Sequence, residues 1–225
     1  MQEIYLSFHG LGTPPPHIED DERPYWLEPE QFVVFLRLAQ RYEQEDRQVL
    51  ITFDDGNKSD VDIALPILND FKRHAAFFPS TSKIGTPGFV EAEDVIRLYN
   101  AGMSVGSHGA AHVKWPTLSN AELLEEVGQS LNVLSALVGQ KVKTVAVPYG
   151  TYDRRVLHLL GRLDITTIFT SDADLARPNA WVKPRVTILR DTPPEQIEKL
   201  LSGRLSAMER LRFFVRKARR SLRAL

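Results

Sequence analysis

The stretch ITFDDG at residues 51–56 joins a strand-like apolar run to two carboxylates and a glycine. A short run of β-branched and aromatic residues that stops at acidic residues and glycine predicts a buried strand followed by a turn. Outward from this stretch, six further runs of the same kind alternate with segments of helical periodicity. The predicted strands span residues 4–8, 49–53, 75–78, 103–107, 144–147, 165–170 and 182–188. This alternation predicts an α/β fold in one domain, a distorted (β/α)7 barrel similar to a TIM barrel.

Capping residues mark several boundaries of the predicted helices. Ser119 with Glu122 three residues later is typical of a capping box, and Thr192 before a proline predicts another helix start. Gly139 stands where a C-terminal cap is expected. Residues 10–24, which contain three consecutive prolines, predict a long loop over one rim of the barrel.

The composition narrows the class of protein. The 225 residues are 43% hydrophobic, carry a net charge of −1 and include no cysteine. This excludes thiol nucleophiles and cysteine-ligated zinc, so a metal site has to use histidine and carboxylate side chains. No apolar run has the roughly 18–20 residues of a membrane span, and the first residues do not resemble a signal peptide. We therefore expect a cytoplasmic protein.

The charge distribution separates two parts of the chain. Residues 204–225 contain eight basic residues and one acidic residue, which leaves residues 1–203 with a net charge of about −8. The acidic body argues against a nucleic-acid partner. Apolar residues at helical spacing between the arginines predict a basic amphipathic helix over 204–225, suited to peripheral contact with the inner membrane face through residues 206–225. The same pattern fits a helix packed on the acidic body or a solvated tail.

Polar residues directly follow two of the predicted strands. Asp54 and Asp55 end one strand, and His108 and His112 follow another. Because the carboxyl ends of barrel strands meet at one rim, these side chains are expected to lie close together. Two imidazoles and a carboxylate can hold zinc and leave a coordination position open for water. Taken alone, the aspartates fit a solvated turn and the histidines fit a surface pair.

A third strand end, VPYG at residues 147–150, carries Pro148 and Tyr149. These residues can form the wall of a groove, and the backbone N–H of Tyr149 can face a developing oxyanion. Proline, aromatic and glycine residues at such a position also fit a simple turn.

These three segments together resemble the motifs of the polysaccharide deacetylase family, also called the NodB homology or carbohydrate esterase family 4 group. The resemblance extends over residues 5–188 and implies that residues 1–203 form the catalytic domain of a metal-dependent hydrolase. It implies Asp54 as the general base. The implied substrate is an N-acetylated amino sugar of a polysaccharide or glycan precursor, from which the acetyl group is removed. The implied ligands of a divalent metal, most often zinc, are Asp55, His108 and His112.

The chain departs from the family's motifs at two places. Residues 146–149 read AVPY, without the arginine that orients the base in many members. Residues 186–190 read VTILR, without the histidine that serves as the general acid. Arg185 can orient Asp54 instead, or can be an ordinary surface or glycan-contacting arginine. His9, after the first predicted strand, can replace the general acid, or can be a rim histidine without a role in proton transfer.

Contacts with the substrate are expected from the rim loops. Trp115, three residues after an implied metal ligand, is the strongest candidate for stacking on a sugar ring. Two other functions stay open: hydrolysis of O-acetyl esters or small cyclic amides, and glycan binding by a catalytically inert homologue. The predicted substrate-binding residues are Trp115, Pro148, Tyr149 and Arg185.

Overall fold

The computed structural model describes residues 2–16, 18–43 and 47–203. Within these residues, nine strands and six α-helices follow one another along the chain. The strands are β1 (Gln2–Phe8), β2 (Gly10–Leu11), β3 (Trp26–Leu27), β4 (Arg47–Asp55), β5 (Ala75–Pro79), β6 (Ser104–Val105), β7 (Thr144–Ala146), β8 (Thr167–Thr170) and β9 (Val182–Thr187). The helices are α1 (Pro29–Tyr42), α2 (Leu65–Asp70), α3 (Ala92–Asn100), α4 (Asn120–Val138), α5 (Arg154–Leu160) and α6 (Pro194–Leu201).

Seven of the strands form one parallel sheet in the order β6-β5-β4-β1-β9-β8-β7. Its two ends meet through a bridge between Ser107 and Val145. Ser107 donates its N–H to the carbonyl of Thr144 at 3.0 Å and accepts the N–H of Ala146 at 2.8 Å. These hydrogen bonds close the sheet, and the predicted (β/α)7 barrel is confirmed.

Strand β6 is shorter than the predicted run at residues 103–107. Gly106 still pairs with β5, but Ser107 turns away to pair with β7. A Cβ on Gly106 would lie 2.3 Å from the ring of Phe78 and 2.5 Å from the hydroxyl of Thr144. The chain therefore crosses from one neighbouring strand to the other where only glycine fits, and this crossing distorts the barrel.

Helix α4 has the predicted capping box. The Ser119 hydroxyl accepts the N–H of Glu122 at 3.3 Å, and the Glu122 carboxylate accepts the N–H of Ser119 at 2.8 Å. The same helix ends at a glycine in the left-handed conformation, as predicted. The N-cap of α6 is Pro193, not the predicted Thr192. The Thr192 hydroxyl instead accepts the N–H of Leu189 at 2.8 Å and stabilises the preceding turn.

Apolar side chains fill both faces of the sheet, because successive residues of a strand point to opposite sides. Phe77 joins the large core between the sheet and the helices, whereas its neighbour Phe78 packs inside the barrel. There the ring of Phe169 lies 5.2 Å from the ring of Phe78 and 5.0 Å from that of Tyr5. An aromatic layer therefore crosses the barrel interior.

A buried polar cluster lies beside this layer, toward the first residues of β1. The ammonium of Lys183 forms an ion pair with Glu3 and a hydrogen bond of 3.2 Å with the hydroxyl of Tyr5. The Tyr5 hydroxyl also donates to Glu3 at 2.9 Å. Because the buried charges are paired, the barrel interior holds polar groups without leaving an ion uncompensated.

The predicted loop at residues 10–24 crosses the rim, as expected from its prolines. It is held at its base by pairing of β2 with β3, and the N–H of Gly12 donates to the carbonyl of Leu27 at 2.8 Å. Gly10 lies against the indole of Trp26, where a Cβ would come within 2.2 Å of the ring. This close approach fixes the path of the loop over the barrel.

Among the described helices, none has both the length and the apolar character needed to cross a membrane. The basic helix predicted at residues 204–225, with its membrane contact, lies outside the described residues.

Substitution of Gly10 tests this packing. In Gly10→Ala the added methyl would overlap the Trp26 ring, which is 4% exposed, so the ring has to move. We expect the free energy of unfolding, measured by urea denaturation, to fall by about 1–3 kcal/mol. Gly128→Ala in α4 is the control, because its Cβ meets no atom within 4 Å and should raise stability by up to about 1 kcal/mol. Equal stability of Gly10→Ala and the unchanged protein would contradict the close contact.

Candidate active site and metal centre

The carboxyl end of β4 directs two adjacent carboxylates to different places. Asp54 is 3% exposed, whereas Asp55 has a φ of 74° and leaves the extended conformation. Gly56 follows with a φ of 79°, and a Cβ there would lie 2.6 Å from Pro79 of the next strand. The strand therefore ends in a sharp turn, which separates the directions of the two aspartates.

Asp54 is held by a two-pronged ion pair with Arg185 of β9. The two guanidinium nitrogens Nη1 and Nη2 each donate to one carboxylate oxygen at 2.7 Å. Arg185 Nη1 also donates to the Thr52 hydroxyl at 3.2 Å. The guanidinium carbon lies 5.7 Å from the ring centre of Phe78 and 5.9 Å from that of Phe169. Arg185 therefore orients Asp54, as one interpretation of the sequence predicted.

The other interpretations of Arg185 are wrong. Its side chain is 0% exposed, so it is neither a surface arginine nor a residue that contacts a glycan. Burial alone would raise the pKa of Asp54, but the charge of Arg185, followed by that of His108, lowers this pKa well below its usual range. Asp54 is therefore ionised at neutral pH.

Asp55, His108 and His112 converge on one point. The Asp55 Oδ1 lies 3.2 Å from Nε2 of His112 and 3.6 Å from Nε2 of His108. One ligand atom from each of the three residues lies within 4.8 Å of the others. Asp55 Oδ1 is buried and accepts no hydrogen bond from the described residues. Two imidazole nitrogens and one buried carboxylate oxygen that accepts no hydrogen bond from the described residues lie around one point, and this set fits a divalent metal.

The two histidines are in the state that binds a metal. Nδ1 of His108 lies 2.9 Å from the carbonyl of Ala146, so this nitrogen carries the proton and Nε2 presents its lone pair. Burial lowers the pKa of His108 below its usual value. Burial, followed by the charge of His108, lowers the pKa of His112 to about 4. Both imidazoles are therefore neutral at pH 7, as metal ligation requires.

The loop between the histidines is supported from below by α4. The Glu126 carboxylate accepts the N–H of Ala111 at 2.9 Å, and Ser130 donates to the carbonyl of Gly109 at 3.0 Å. Gly109 has a φ of 78°, and a Cβ there would lie 2.5 Å from Glu126. A larger side chain at position 109 would overlap Glu126, so glycine is the residue that fits this loop.

The predicted sugar contact of Trp115 is wrong. Its side chain is 0% exposed and packs in the core between the sheet and the helices, beneath the histidine loop. The indole nitrogen faces Gly109, at 3.3 Å from the position of an added Cβ. Three residues after His112 the chain enters the core, so the buried Trp115 side chain packs under the histidine loop and supports it.

A cavity of about 450 Å³ opens above these residues. It is lined by both aspartates and both histidines, and also by His9 and Tyr149. Tyr149 is 55% exposed, and its ring lies 4.6 Å from that of His112. Pro148 is buried and does not line the cavity, so the predicted role of Pro148 as a groove wall is wrong. The turn itself is present, with Tyr149 at a φ of 57°.

His9 lies on the same rim, as predicted from its position after β1. Its ring lies 4.7 Å from the ring of Tyr25, and its Nδ1 is buried without a hydrogen bond from the described residues. Burial alone would raise the pKa of Asp55, but the histidines, led by His9, lower it. His9 therefore lines the same cavity as the candidate metal ligands.

Two further polar residues near the site were not predicted. Asn57 is 2% exposed and lines the cavity, and its Oδ1 has no hydrogen-bond partner in the described residues. Asp60 is 1% exposed, and the same holds for both of its oxygens. Burial, followed by the charges of Asp55 and Asp54, raises the pKa of Asp60 well above its usual value. Neither position belongs to a strand end, so no sequence pattern identified them.

The chain was compared with known proteins. The family model described as polysaccharide deacetylase matches residues 41–168, more than half of the chain. The peptidoglycan-N-acetylmuramic acid deacetylase PdaC of Bacillus subtilis is 28% identical over 54% of this chain and 26% of its own length. The poly-β-1,6-N-acetyl-D-glucosamine N-deacetylase of Staphylococcus aureus is 23% identical over 70% of this chain and 60% of its own length. The chain thus spans between about a quarter and three fifths of these curated relatives.

Among solved structures, Streptococcus pyogenes deacetylase PplD superposes with a TM-score of 0.75 at 20% identity. The superposition covers 89% of this chain and 98% of PplD and shows a common fold. The (β/α)7 barrel is thus a fold that this chain shares with PplD. The match of the family model shows that the chain belongs to the polysaccharide deacetylase family.

The buried carboxyl of Asp60 gives a pH-dependent prediction. A pKa raised by folding stabilises the folded state below the unfolded pKa of about 3.9, and this stabilisation is lost as the pH rises. In Asp60→Asn the side chain cannot ionise, so stability is not lost in this way as the pH rises. In metal-free protein its Tm should exceed that of the unchanged protein at pH 8 by about 2 °C or more, with the gap closing toward pH 4. Asp62→Asn, which replaces an exposed carboxylate of the same turn, is the control. If the Tm of Asp60→Asn were lower than that of the unchanged protein at pH 8, the burial of Asp60 without a hydrogen-bond partner would be contradicted.

Proposed function

We propose that this protein is a metal-dependent hydrolase that removes N-acetyl groups from amino sugars of a polysaccharide or glycan precursor. One observation carries the proposal: Asp55, His108 and His112 surround one point next to Asp54, which Arg185 keeps ionised. Metal ligands and a proton acceptor at the rim of one cavity are the parts that hydrolysis of an amide requires.

Asp54 is the proposed general base. Its Oδ1 accepts one hydrogen bond from Arg185 and keeps a second lone pair for a proton of water, whereas its Oδ2 accepts from both Arg185 and the Ser7 hydroxyl. The same guanidinium that orients Asp54 also makes it a weaker base, so the attacking water has to become more acidic. A divalent metal, most often zinc in this family, would be held by Asp55, His108 and His112, and would lower the pKa of water toward about 7 and polarise the acetyl carbonyl.

Two rim residues are proposed to complete the reaction. Negative charge develops on the carbonyl oxygen during attack, and the backbone N–H of Tyr149 is the proposed hydrogen-bond donor to it. The nitrogen of the broken C–N bond has to leave as an amine with an added proton. His9 is the proposed donor of that proton, because it lines the cavity and its Nδ1 has no partner in the described residues.

The relatives support a glycan as the substrate. By their names, two of them act on peptidoglycan N-acetylmuramic acid and on poly-β-1,6-N-acetyl-D-glucosamine. Tyr149 offers an exposed aromatic face beside His112, on which a sugar ring can stack. A cytoplasmic location and peripheral membrane contact through residues 206–225 are proposed from the sequence alone.

Hydrolysis by metal-stripped protein, with and without added zinc, tests the function. It is measured as acetate release, and for the cyclic amide as formation of the ring-opened acid. The substrates are β-1,4- and β-1,6-linked N-acetylglucosamine oligomers, acetylated sugar esters and a small cyclic amide. We expect zinc-dependent acetate from the oligomers. Faster release from the esters, or opening of the cyclic amide alone, would favour the other hydrolase functions. Bound zinc without turnover of any substrate would favour an inert glycan-binding protein.

Two variants separate the base from the metal ligands. Asp54→Asn should reduce turnover by about 10²–10⁴-fold and still bind zinc, because Asp54 is not a ligand. His112→Ala should lose both turnover and zinc, measured as metal content after dialysis. His158→Ala, at an exposed position of α5, is the control and should retain both. If Asp54→Asn or His112→Ala turned over the substrate as fast as the unchanged protein, the assignment would be refuted.

The role of His9 is tested by comparing leaving groups. An amine needs a proton to leave, whereas p-nitrophenolate leaves readily without one. His9→Gln should lower kcat for N-acetylated oligomers by about 10²-fold or more, lower the rate on p-nitrophenyl acetate far less, and retain zinc. Equal losses on both substrates would show that His9 positions the site, and unchanged kcat on the oligomers would show a rim histidine without a role in proton transfer.

A further inference from the structure

One wall of the cavity is acidic. Residues 19–22 read EDDE in the segment between β2 and β3. Glu19, Asp21 and Glu22 line the cavity, whereas Asp20 does not and forms an ion pair with Arg23 at 3.1 Å. In the part of the chain that the structure describes, no ion pair involves any of the three lining carboxylates. Within those residues, their charge is therefore not neutralised by direct contact with a cationic side chain.

This acidic wall lines the same cavity as the candidate metal centre. Burial raises the pKa of Glu22, and the charges of Asp55, Asp21 and Glu19 raise it further, against the opposing effect of Lys83. Lys83 also lines the cavity, where its ammonium lies 4.8 Å from the ring centre of Phe89. The positive charge of this one lysine thus offsets only part of the negative charge of the three carboxylates, and the carboxylates still repel one another.

A second, independent feature of the cavity also calls for a hydrogen-bond donor. Asn57, 2% exposed, lines the cavity from the turn after β4, and its Oδ1 has no hydrogen-bond partner in the described residues. A buried amide oxygen without a hydrogen-bond partner destabilises the site that holds it. The acidic wall and Asn57 therefore both favour a ligand that is rich in donors.

We infer that the preferred substrate is a glycan with a protonated primary amine on a sugar next to the N-acetylated one, and that the acidic wall binds this ammonium group. The inference rests on the proposed deacetylase function. Sugar hydroxyls can donate to carboxylates, but only a cation also relieves the repulsion among Glu19, Asp21 and Glu22. A primary amine is what the proposed reaction leaves on a sugar, so chains that are already partly deacetylated would be preferred.

Matched tetrasaccharides test the preference. One is fully N-acetylated, and the other has one glucosamine beside an N-acetylglucosamine, in both β-1,4 and β-1,6 linkage. At low salt, kcat/KM should be about fivefold higher for the tetramer with the amine. In 1 M salt, where the screening length is about 3 Å, the ratio should approach one. A ratio of one or less at low salt, with clear turnover of both tetramers, would overturn this inference and leave the proposed function intact.

A pair of variants assigns the preference to the acidic wall. In Asp21→Asn/Glu22→Gln the ratio of the two kcat/KM values should fall toward one. Asp20→Asn is the matched control, because it removes one charge from the same segment at a residue that does not line the cavity. An unchanged ratio in the double variant would refute the role of these carboxylates.

Binding of the fully deacetylated glucosamine tetramer, measured by calorimetry, distinguishes this inference from the proposed function. The unchanged protein should bind it about fivefold more tightly than the double variant at low salt. Such binding without acetate release from any oligomer would overturn the deacetylase function and retain the amine site. Equal binding by the two proteins would overturn the amine site itself.

Discussion

A carboxylate buried inside a barrel stays ionised only if an opposite charge lies against it, and the pair of Asp54 and Arg185 satisfies this constraint. The two residues come from β4 and β9, which flank β1 in the sheet. The guanidinium lies against Phe78 and Phe169, so the aromatic layer of the barrel sets the height at which Asp54 is held. Removal of one partner from such a buried pair typically costs about 3–5 kcal/mol. The same contact therefore supports the fold and positions the proposed base.

The candidate metal centre depends on how the barrel closes. Because Asp54 is directed inward, its neighbour Asp55 has to leave the strand to reach the rim, and its φ of 74° shows this turn. On the other side of the centre, Ser107 bridges to β7 and places His108 next to the carbonyl of Ala146. The hydrogen bonds that close the sheet thus also fix the orientation of one ligand. A change at the barrel seam would be felt directly at the metal centre.

The sequence predicted what depends on periodicity and strand ends. The seven barrel strands, the two aspartates and the two histidines follow from local patterns, and the parallel topology brings them together. Arg185 could not be assigned, because its contact with Asp54 joins residues 131 positions apart. Trp115 was misassigned because distance along the chain does not show which side of a loop faces the core. Asp60 was missed since its environment arises only when β2 packs against the turn after β4.

The cavity combines two charge patterns that come from different parts of the fold. Asp54, Asp55 and His108 belong to strand ends and are fixed by buried contacts, so their geometry can change little without loss of the barrel. The acidic wall belongs to the segment between β2 and β3, where Glu19 and Asp21 are exposed. Loops tolerate substitution better than the scaffold that carries them. By their names the two curated relatives act on different glycans, peptidoglycan and poly-β-1,6-N-acetyl-D-glucosamine. A rigid reaction centre with an exchangeable wall is a physical route by which one barrel chemistry serves several glycans.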